Sequence, residues 1–506
     1  MCSAAAATEK FAYVNHDSEK SRLRLTFKYA SGDIKERLYT LNRASVEELR
    51  VVLARISLNI TNNEEGKTKR KRKKQENSRS DEDAAKTESH PKLLVSLEHN
   101  GIPVPEDLTS GDAWKDGSIL ADANICLFWC CTVQIGDQRY SVLVNAPSVR
   151  CARLPKLIMA GFPVYAYAEL DDCSLNDCDF AWYRSVDRGQ SYPRRQLYSA
   201  ANMLFVFVQN GPWMTPTYQD IGHHLLLLLT PQKLGVQGMT VEVLSNTAIQ
   251  PGPMNCPFQN RQYFTSQFRC VSYNLLAGVY AESQLARETL YPYCARYALK
   301  MDYRKNLIMK ELFGYRSDLF FLQEVDRKFF REDLEVALGF CGFAGYYTEK
   351  NSPMAEGLAC FYRKNKFRSI ESHSMILSNA LEVQPALADI LAKVNKNPRV
   401  KERLMTLPTA FQALLLQPMD KQDRLLLVAN THLYYHPEGD HIRLLQAYMC
   451  IRLVEQLLSD LEVKPAVVFA GDFNSCPRYG VYQLMTYGYV SEHCPDWYTS
   501  KYPFPS

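Results

Sequence analysis

PAVVFAGDFN, residues 465–474, decides how this chain is read. An apolar, β-branched run that stops at Gly471-Asp472 reads as a core strand handing polar side chains to a loop at the end of a sheet. At that position Asp472 can bind a hard cation or take a proton from water, and Asn474 can orient that water or a phosphate oxygen. A lone Gly-Asp after a strand also fits a turn with a self-capping aspartate, so the reading depends on what the rest of the chain supplies.

Working outward, the same arrangement recurs three times. Asn274 follows CVSY, Glu324 follows LFFLQ, and Asn430 and His432 follow LLLVA. Between these runs lie helical patterns over 291–315, 332–340 and 441–461, the last with apolar residues at Ile442, Leu445, Met449 and Leu453. Further strands read from GLACFYRK and AFQALLLQP. The alternation predicts an α/β domain whose sheets are covered by helices. Ligands of open α/β sheets gather at the carboxyl ends of the strands, and four strands delivering polar groups to one rim are harder to assign to turns than one. The residue types fit one chemistry. Glu324 and Asp472 are the hard oxygen ligands that Mg²⁺ prefers, Asp472 can deprotonate a water that Asn474 positions, and His432 can stabilise charge on phosphoryl oxygens.

The N-terminal half has another texture. RLRLTFKYA and IKERLYTL, within residues 22–41, read as a hairpin, followed by a helical pattern over 45–60. A polar stretch holds the run KTKRKRKK, and removing its seven charges from the net +4 leaves the remainder near −3, so nucleic-acid affinity of the folded part must be local. The run fits a solvated linker, a nuclear signal or an RNA-sampling arm. From Leu93 onward short strands recur with turn signals, as in a β-sandwich-like module. Residues 121–133, ADANICLFWCCTV, read as an insertion. The expected organisation is a strand/helix segment over 1–62, a basic linker over 63–92, a β-rich module over 93–250 and a catalytic domain over 265–506. Fifteen cysteines without a CxxC pair point to free thiols, and no apolar run approaches the ~18 residues of a membrane span. The first residues carry Glu9, Asp17 and Glu19, unlike an acid-poor organelle presequence.

SYNLLA, LQEVD, ANTHLYYHP and GDFNS, in this order, resemble the endonuclease/exonuclease/phosphatase superfamily, in the branch that holds the poly(A)-specific deadenylases and the 2′,5′-phosphodiesterases. The segments LYPYCARYALKMDYRKNLIMKELFGY, EGLACFYRK and RLPKLIMAGFPV are similar to the mitochondrial 2′,5′-phosphodiesterases in particular. The resemblance implies a two-sheet α/β/β/α sandwich behind a β-rich, sandwich-like module. It places the metal-binding glutamate at Glu324, the metal-binding and proton-handling aspartate at Asp472 and its amide partner, also expected at the metal, at Asn474. Asn274 falls on the supporting asparagine, which together with Asn430 and His432 is expected to face substrate. It implies Mg²⁺, with Mn²⁺ as the alternative ion, and RNA, 2′,5′-oligoadenylate or poly(A) as partners, with AMP released. It also implies the mitochondrial matrix, the cytoplasm being the alternative, and no membrane or obligate protein partner. The family closes its site with a later strand bearing an aspartate and a final Asp-His pair. The 32 residues after Asn474 supply neither, and SEHC, residues 491–494, reads as loop. The catalytic domain is therefore expected to be C-terminally incomplete, which leaves three readings open: a 2′,5′-phosphodiesterase, a general 3′ deadenylase, and a catalytically impaired RNA-binding protein.

Overall fold

Alternation over Arg22–Tyr29, with Leu23, Leu25, Phe27 and Tyr29 buried, gives a strand with one core face. The computed structural model describes residues 10–17, 20–30, 36–61, 93–114, 131–186, 197–253, 267–350, 354–459 and 461–498. The linker 63–92 and residues 121–130 of the expected insertion lie outside them. The chain divides into two units, one of residues 1–153, 168–182 and 226–243, the other of residues 154–167, 183–225 and 244–506.

In the first unit, β1 (Phe11–Asp17), β2 (Arg22–Tyr29), β3 (Arg37–Ala44), β4 (Val95–His99), β5 (Ile102–Pro103), β6 (Cys131–Ile135) and β7 (Gln138–Val144) form one sheet in the order β3-β2-β1-β7-β6-β4-β5. Strands from both sides of the linker thus share one sheet. Leu49, Val52, Leu53, Ile56 and Ile60 of the helical stretch 49–61 pack into the same core. Cys131–Val133 opens β6 and so belongs to the sheet, which corrects the insertion reading for those residues. β1 was not foreseen, because its parallel partner β7 lies more than a hundred residues away and local pattern carries no trace of such pairing.

The second unit carries two four-stranded sheets. β8 (Cys270–Asn274), β9 (Leu319–Asp326), β10 (Phe343–Glu349) and β11 (Glu356–Arg363) run in the order β8-β9-β11-β10; β12 (Phe367–Ile376), β13 (Ala410–Pro418), β14 (Leu426–His432) and β15 (Ala466–Asp472) run in sequence order. The continuous apolar runs follow from burial on both faces. Leu319 and Phe321 pack between the sheets with Leu414, Leu416, Leu426 and Val428. The alternate Phe320 and Leu322 meet Ile308, Met309 and Leu312 of α1 (Met301–Tyr315). On the other side Leu415, Leu427 and Ala429 lie under Ile442, Met449 and Leu453 of α2 (Asp440–Ser459). The layers are helix, sheet, sheet, helix. The continuous helix expected over 291–315 is divided: a short helix at Arg296–Leu299 ends at Lys300, whose backbone is extended, and α1 begins at Met301.

β8 pairs with β9, and β14 with β15, in parallel, so each pair ends its strands together. β15 is half-exposed, with Val467 42 % exposed, rather than the core strand its apolar run suggests. It pairs with β14 on one side, and no described strand lies on the other. The close pairing explains Gly471, whose φ is +150°: a Cβ there would lie 2.3 Å from the Thr431 carbonyl oxygen. Gly471→Ala should therefore lower unfolding stability in urea by about 1–3 kcal/mol; an unchanged midpoint would show that the two strands tolerate separation.

Candidate active site

Asn274 ends β8 with its side chain between two acids. Its Nδ2 donates to Glu324 Oε1 at 3.0 Å and to Asp472 Oδ2 at 2.9 Å. The Leu276 N–H donates to its Oδ1 at 2.9 Å, and because a backbone N–H must find an oxygen, this contact fixes which way the amide faces. The two carboxylate oxygens that share Nδ2 are thus no more than about 6 Å apart. If both acids are charged, their repulsion is on the order of 3 kcal/mol at an effective dielectric near 20, comparable to the ~1.5–3 kcal/mol of each charge-assisted hydrogen bond that opposes it.

Glu324 reaches this position through a bulge. The β9–β11 register shifts between Leu322 and Val325, and Glu324 has φ +52°. A non-glycine residue in that region costs on the order of 1–3 kcal/mol and persists where its surroundings over-determine it. Here the Ala277 N–H donates to Glu324 Oε2 at 3.1 Å, so both oxygens are held. Asp472 is similarly fixed: its Oδ1 accepts from the Asn474 N–H at 2.9 Å. Asn474 also has a left-handed φ, +46°, and its Nδ2 donates to the Leu433 carbonyl at 2.9 Å. The amide oxygen is therefore what Asn474 can present to a ligand.

His432 is buried at the end of β14, with Nε2 3.9 Å from Asp472 Oδ2 and Nδ1 4.0 Å from Glu324 Oε1. Lys350 Nζ stands 3.3 Å from Nδ1. An ammonium only donates, so Nδ1 accepts and Nε2 carries the proton facing Asp472. Burial, with the Lys350 charge as a second cause, pulls the imidazole down to about 4, against the pull of Asp472. Near neutral pH it is an uncharged N–H donor.

Lys350, Glu356, Tyr280 and Asp326 were not identified from sequence. Lys350 pairs with Glu356 at 2.8 Å, and the Tyr280 hydroxyl donates to the same carboxylate at 3.2 Å. Burial raises the Glu356 carboxyl, with Lys350 opposing it. Asp326 accepts from the Gly278 N–H at 2.9 Å, and burial raises it too. For Glu356 the missing signal is strand pairing: it opens β11 opposite Asp326, so an antiparallel neighbour brings an acid to the rim from its own start.

Asn430, expected to face substrate, lies elsewhere. It is buried between the sheets, accepts from Gln323 Nε2 at 2.9 Å and donates to the carbonyls of Leu322 and Ala359 at 3.1 and 3.3 Å. Its place one residue before Thr431 and two before His432 puts it in the sheet interior, where it joins β14 to β9 and β11. Glu492 and His493 occupy an exposed turn. Asn274, Glu324, His432, Asp472 and Asn474 are the predicted residues that converge.

Among the described residues, no three His, Cys, Asp or Glu side chains form an all-protein metal cage. The donors present suit a hard cation that keeps several waters: two carboxylates pinned from behind, with Asp472 30 % exposed. No described helix is long and apolar enough to cross a membrane.

Residues 271–506 match the model of the Endonuclease/Exonuclease/phosphatase family. The chain is 36% identical over 498 residues to rat (Rattus norvegicus) 2′,5′-phosphodiesterase 12, covering 94% of this chain and 78% of that protein. It is 34% identical over 515 residues to the human (Homo sapiens) 2′,5′-phosphodiesterase 12, covering 98% and 81%. It is 26% identical over 294 residues to the CCR4-Not complex 3′-5′-exoribonuclease subunit Ccr4 of Schizosaccharomyces pombe, covering 52% and 41%.

The state of His432 can be measured. An unfolded histidine titrates near 6.5, whereas the folded one is held at about 4. Between these values the unfolded chain takes up a proton that the folded chain refuses, so this contribution to stability is complete above about 6.5 and is lost as pH falls, by up to about 3 kcal/mol. NMR titration of the imidazole should find His432 neutral at pH 6; a midpoint near 6.5 would contradict the burial argument.

Proposed function

The chain belongs to the Endonuclease/Exonuclease/phosphatase family and is a hydrolase of phosphodiester type, and from that premise we propose that it cleaves 2′,5′-linked adenylate chains and, from the 3′ end, 3′,5′-linked ones. The substrates are 2′,5′-linked oligoadenylate and 3′,5′ poly(A), the product is AMP, and residues 265–506 carry the activity. Support comes from relatives whose names specify 2′,5′-phosphodiesterase and 3′-5′-exoribonuclease. The observation that carries the reading is the Asn274 amide bridging Glu324 and Asp472.

The family is generally dependent on a divalent metal, and Mg²⁺ is the ion we propose, held by Glu324 and Asp472. Such an ion, when bound, offsets the charge of the substrate phosphate and increases the acidity of a coordinated water. The chain's own groups do the rest. Asp472 accepts a proton from the attacking water, and the Asn474 amide oxygen orients that water. His432 donates its Nε2 proton in a hydrogen bond to a phosphoryl oxygen as negative charge builds there. The water oxygen bonds to phosphorus, and the bond from phosphorus to the 2′ or 3′ oxygen of the preceding nucleotide breaks. AMP leaves, and the shortened chain keeps a hydroxyl whose proton comes from solvent. Residence in the mitochondrial matrix belongs to the same proposal and rests on relatedness.

Purified protein incubated with 2′,5′- and 3′,5′-oligoadenylates should release AMP with Mg²⁺ and not with EDTA, and the faster linkage identifies the preferred substrate. Glu324→Ala and Asp472→Ala should each lower kcat by at least about 10²–10³-fold. Full turnover by either variant with an unchanged Mg²⁺ requirement would rule out this site.

A further inference from the structure

At the amino end of β9 the second unit holds a cavity of about 470 Å³ that none of the catalytic groups line. Ser317 borders it, and the seven residues from there to Glu324 correspond to about 23 Å of extended chain. Its volume falls in the range of small-molecule sites. Its lining is cationic and aromatic: Lys310, Arg316 and Arg363 contribute positive charge, no acid lines the wall, and Trp213 contributes an indole.

Arg363 is a wall. It donates to Asp318 at 3.1 Å and to the Ser317 carbonyl at 3.0 Å, and it lies over the Phe343 ring. Lys310 differs. Its ammonium sits 4.4 Å from the Phe162 ring centroid, and among the described residues it pairs with no carboxylate. A Cβ on Gly161 would lie 4.0 Å from that ammonium, and the φ of +81° disfavours any side chain there, so the approach to Lys310 stays open. Trp213 is 39% exposed and leans on Phe340 at 6.5 Å, which leaves indole surface available for stacking. One effect opposes an anion: the carboxyl end of α1 lines the cavity, and unsatisfied helix carbonyls carry negative partial charge. That effect is reduced here, because Arg269 Nη1 donates to the Tyr315 carbonyl at 2.5 Å and the Arg316 N–H caps Phe313.

We propose that this cavity is a second nucleoside-phosphate site, in which Lys310 and Arg316 hold the phosphate and the Trp213 indole stacks on the base. Charge-assisted phosphate contacts and sequence-tolerant stacking are the usual grips on a nucleotide. The ligand is either a free mononucleotide or one nucleotide of a polynucleotide chain.

The test is calorimetric titration of the full chain with AMP, with a short 3′,5′-oligoadenylate and with inorganic phosphate, all in EDTA so that no turnover intervenes. Saturable nucleotide binding is expected. Lys310→Glu and Trp213→Ala should each weaken it about tenfold or more, while Lys310→Arg and Asp472→Ala should retain it. AMP binding as tightly as the oligomer assigns the site to free nucleotide; tighter oligomer binding, with the same losses in the variants, assigns it to the RNA chain. Phosphate alone binding as tightly as AMP overturns the stacking role. No nucleotide binding, or binding that Lys310→Glu and Trp213→Ala leave intact, overturns the site. Hydrolysis that persists in such a chain would leave the catalytic reading standing.

Discussion

The Asn274 amide donates one hydrogen bond to Glu324 and another to Asp472, and those carboxylates belong to different sheets. Glu324 stands on β9 of the first sheet, Asp472 at the end of β15 in the second. A single side chain thus sets the spacing of two like charges and the registration of the two sheets at their carboxyl rim. Were β9 or β15 to slip by one residue within its own sheet, its side chains would exchange faces, and the amide would lose one acid or both.

What keeps the sheets from sliding lies behind the rim. Leu319, Phe321, Leu414 and Val428 interdigitate between the sheets, and Asn430 with Gln323 adds directional bonds to otherwise apolar packing. A buried amide with every group satisfied favours a single arrangement, since any shifted packing would leave its donors unpaired. The rim can then hold two residues, Glu324 and Asn474, at positive φ because the core and the backbone N–H groups of Ala277 and Asn474 fix their surroundings. Strain at these positions is maintained by packing energy elsewhere in the sandwich.

Much of this was legible in the sequence. The runs ending at Asn274, Glu324, His432 and Asp472 carried both the strands and the polar ends; for β9 and β14 the reason is that doubly buried strands must be continuously apolar and their ends cannot be, whereas β8 and β15 are only partly buried. Asn430 was misplaced for a related reason: strand-end polarity does not reveal which residue is the last inside. Glu356 was invisible because it reaches the rim from the start of β11 through antiparallel pairing, a long-range fact, whereas Lys350 follows the carboxyl end of β10 and was overlooked. The partial exposure of β15 was likewise unreadable from PAVVFA, whose composition matches a buried strand. The cationic cavity joins residues as distant in sequence as Gly161, Trp213, Lys310 and Arg363, and no local pattern could have announced it.

We propose that Glu324 and Asp472 act as one cation site set by Asn274, and Mn²⁺ binding, followed by electron paramagnetic resonance across the double-mutant cycle of Glu324→Ala and Asp472→Ala, tests this most directly. One shared site predicts that either substitution alone removes most of the affinity and that the double variant loses little more. Independent, additive losses, or affinity unchanged by both, would contradict it.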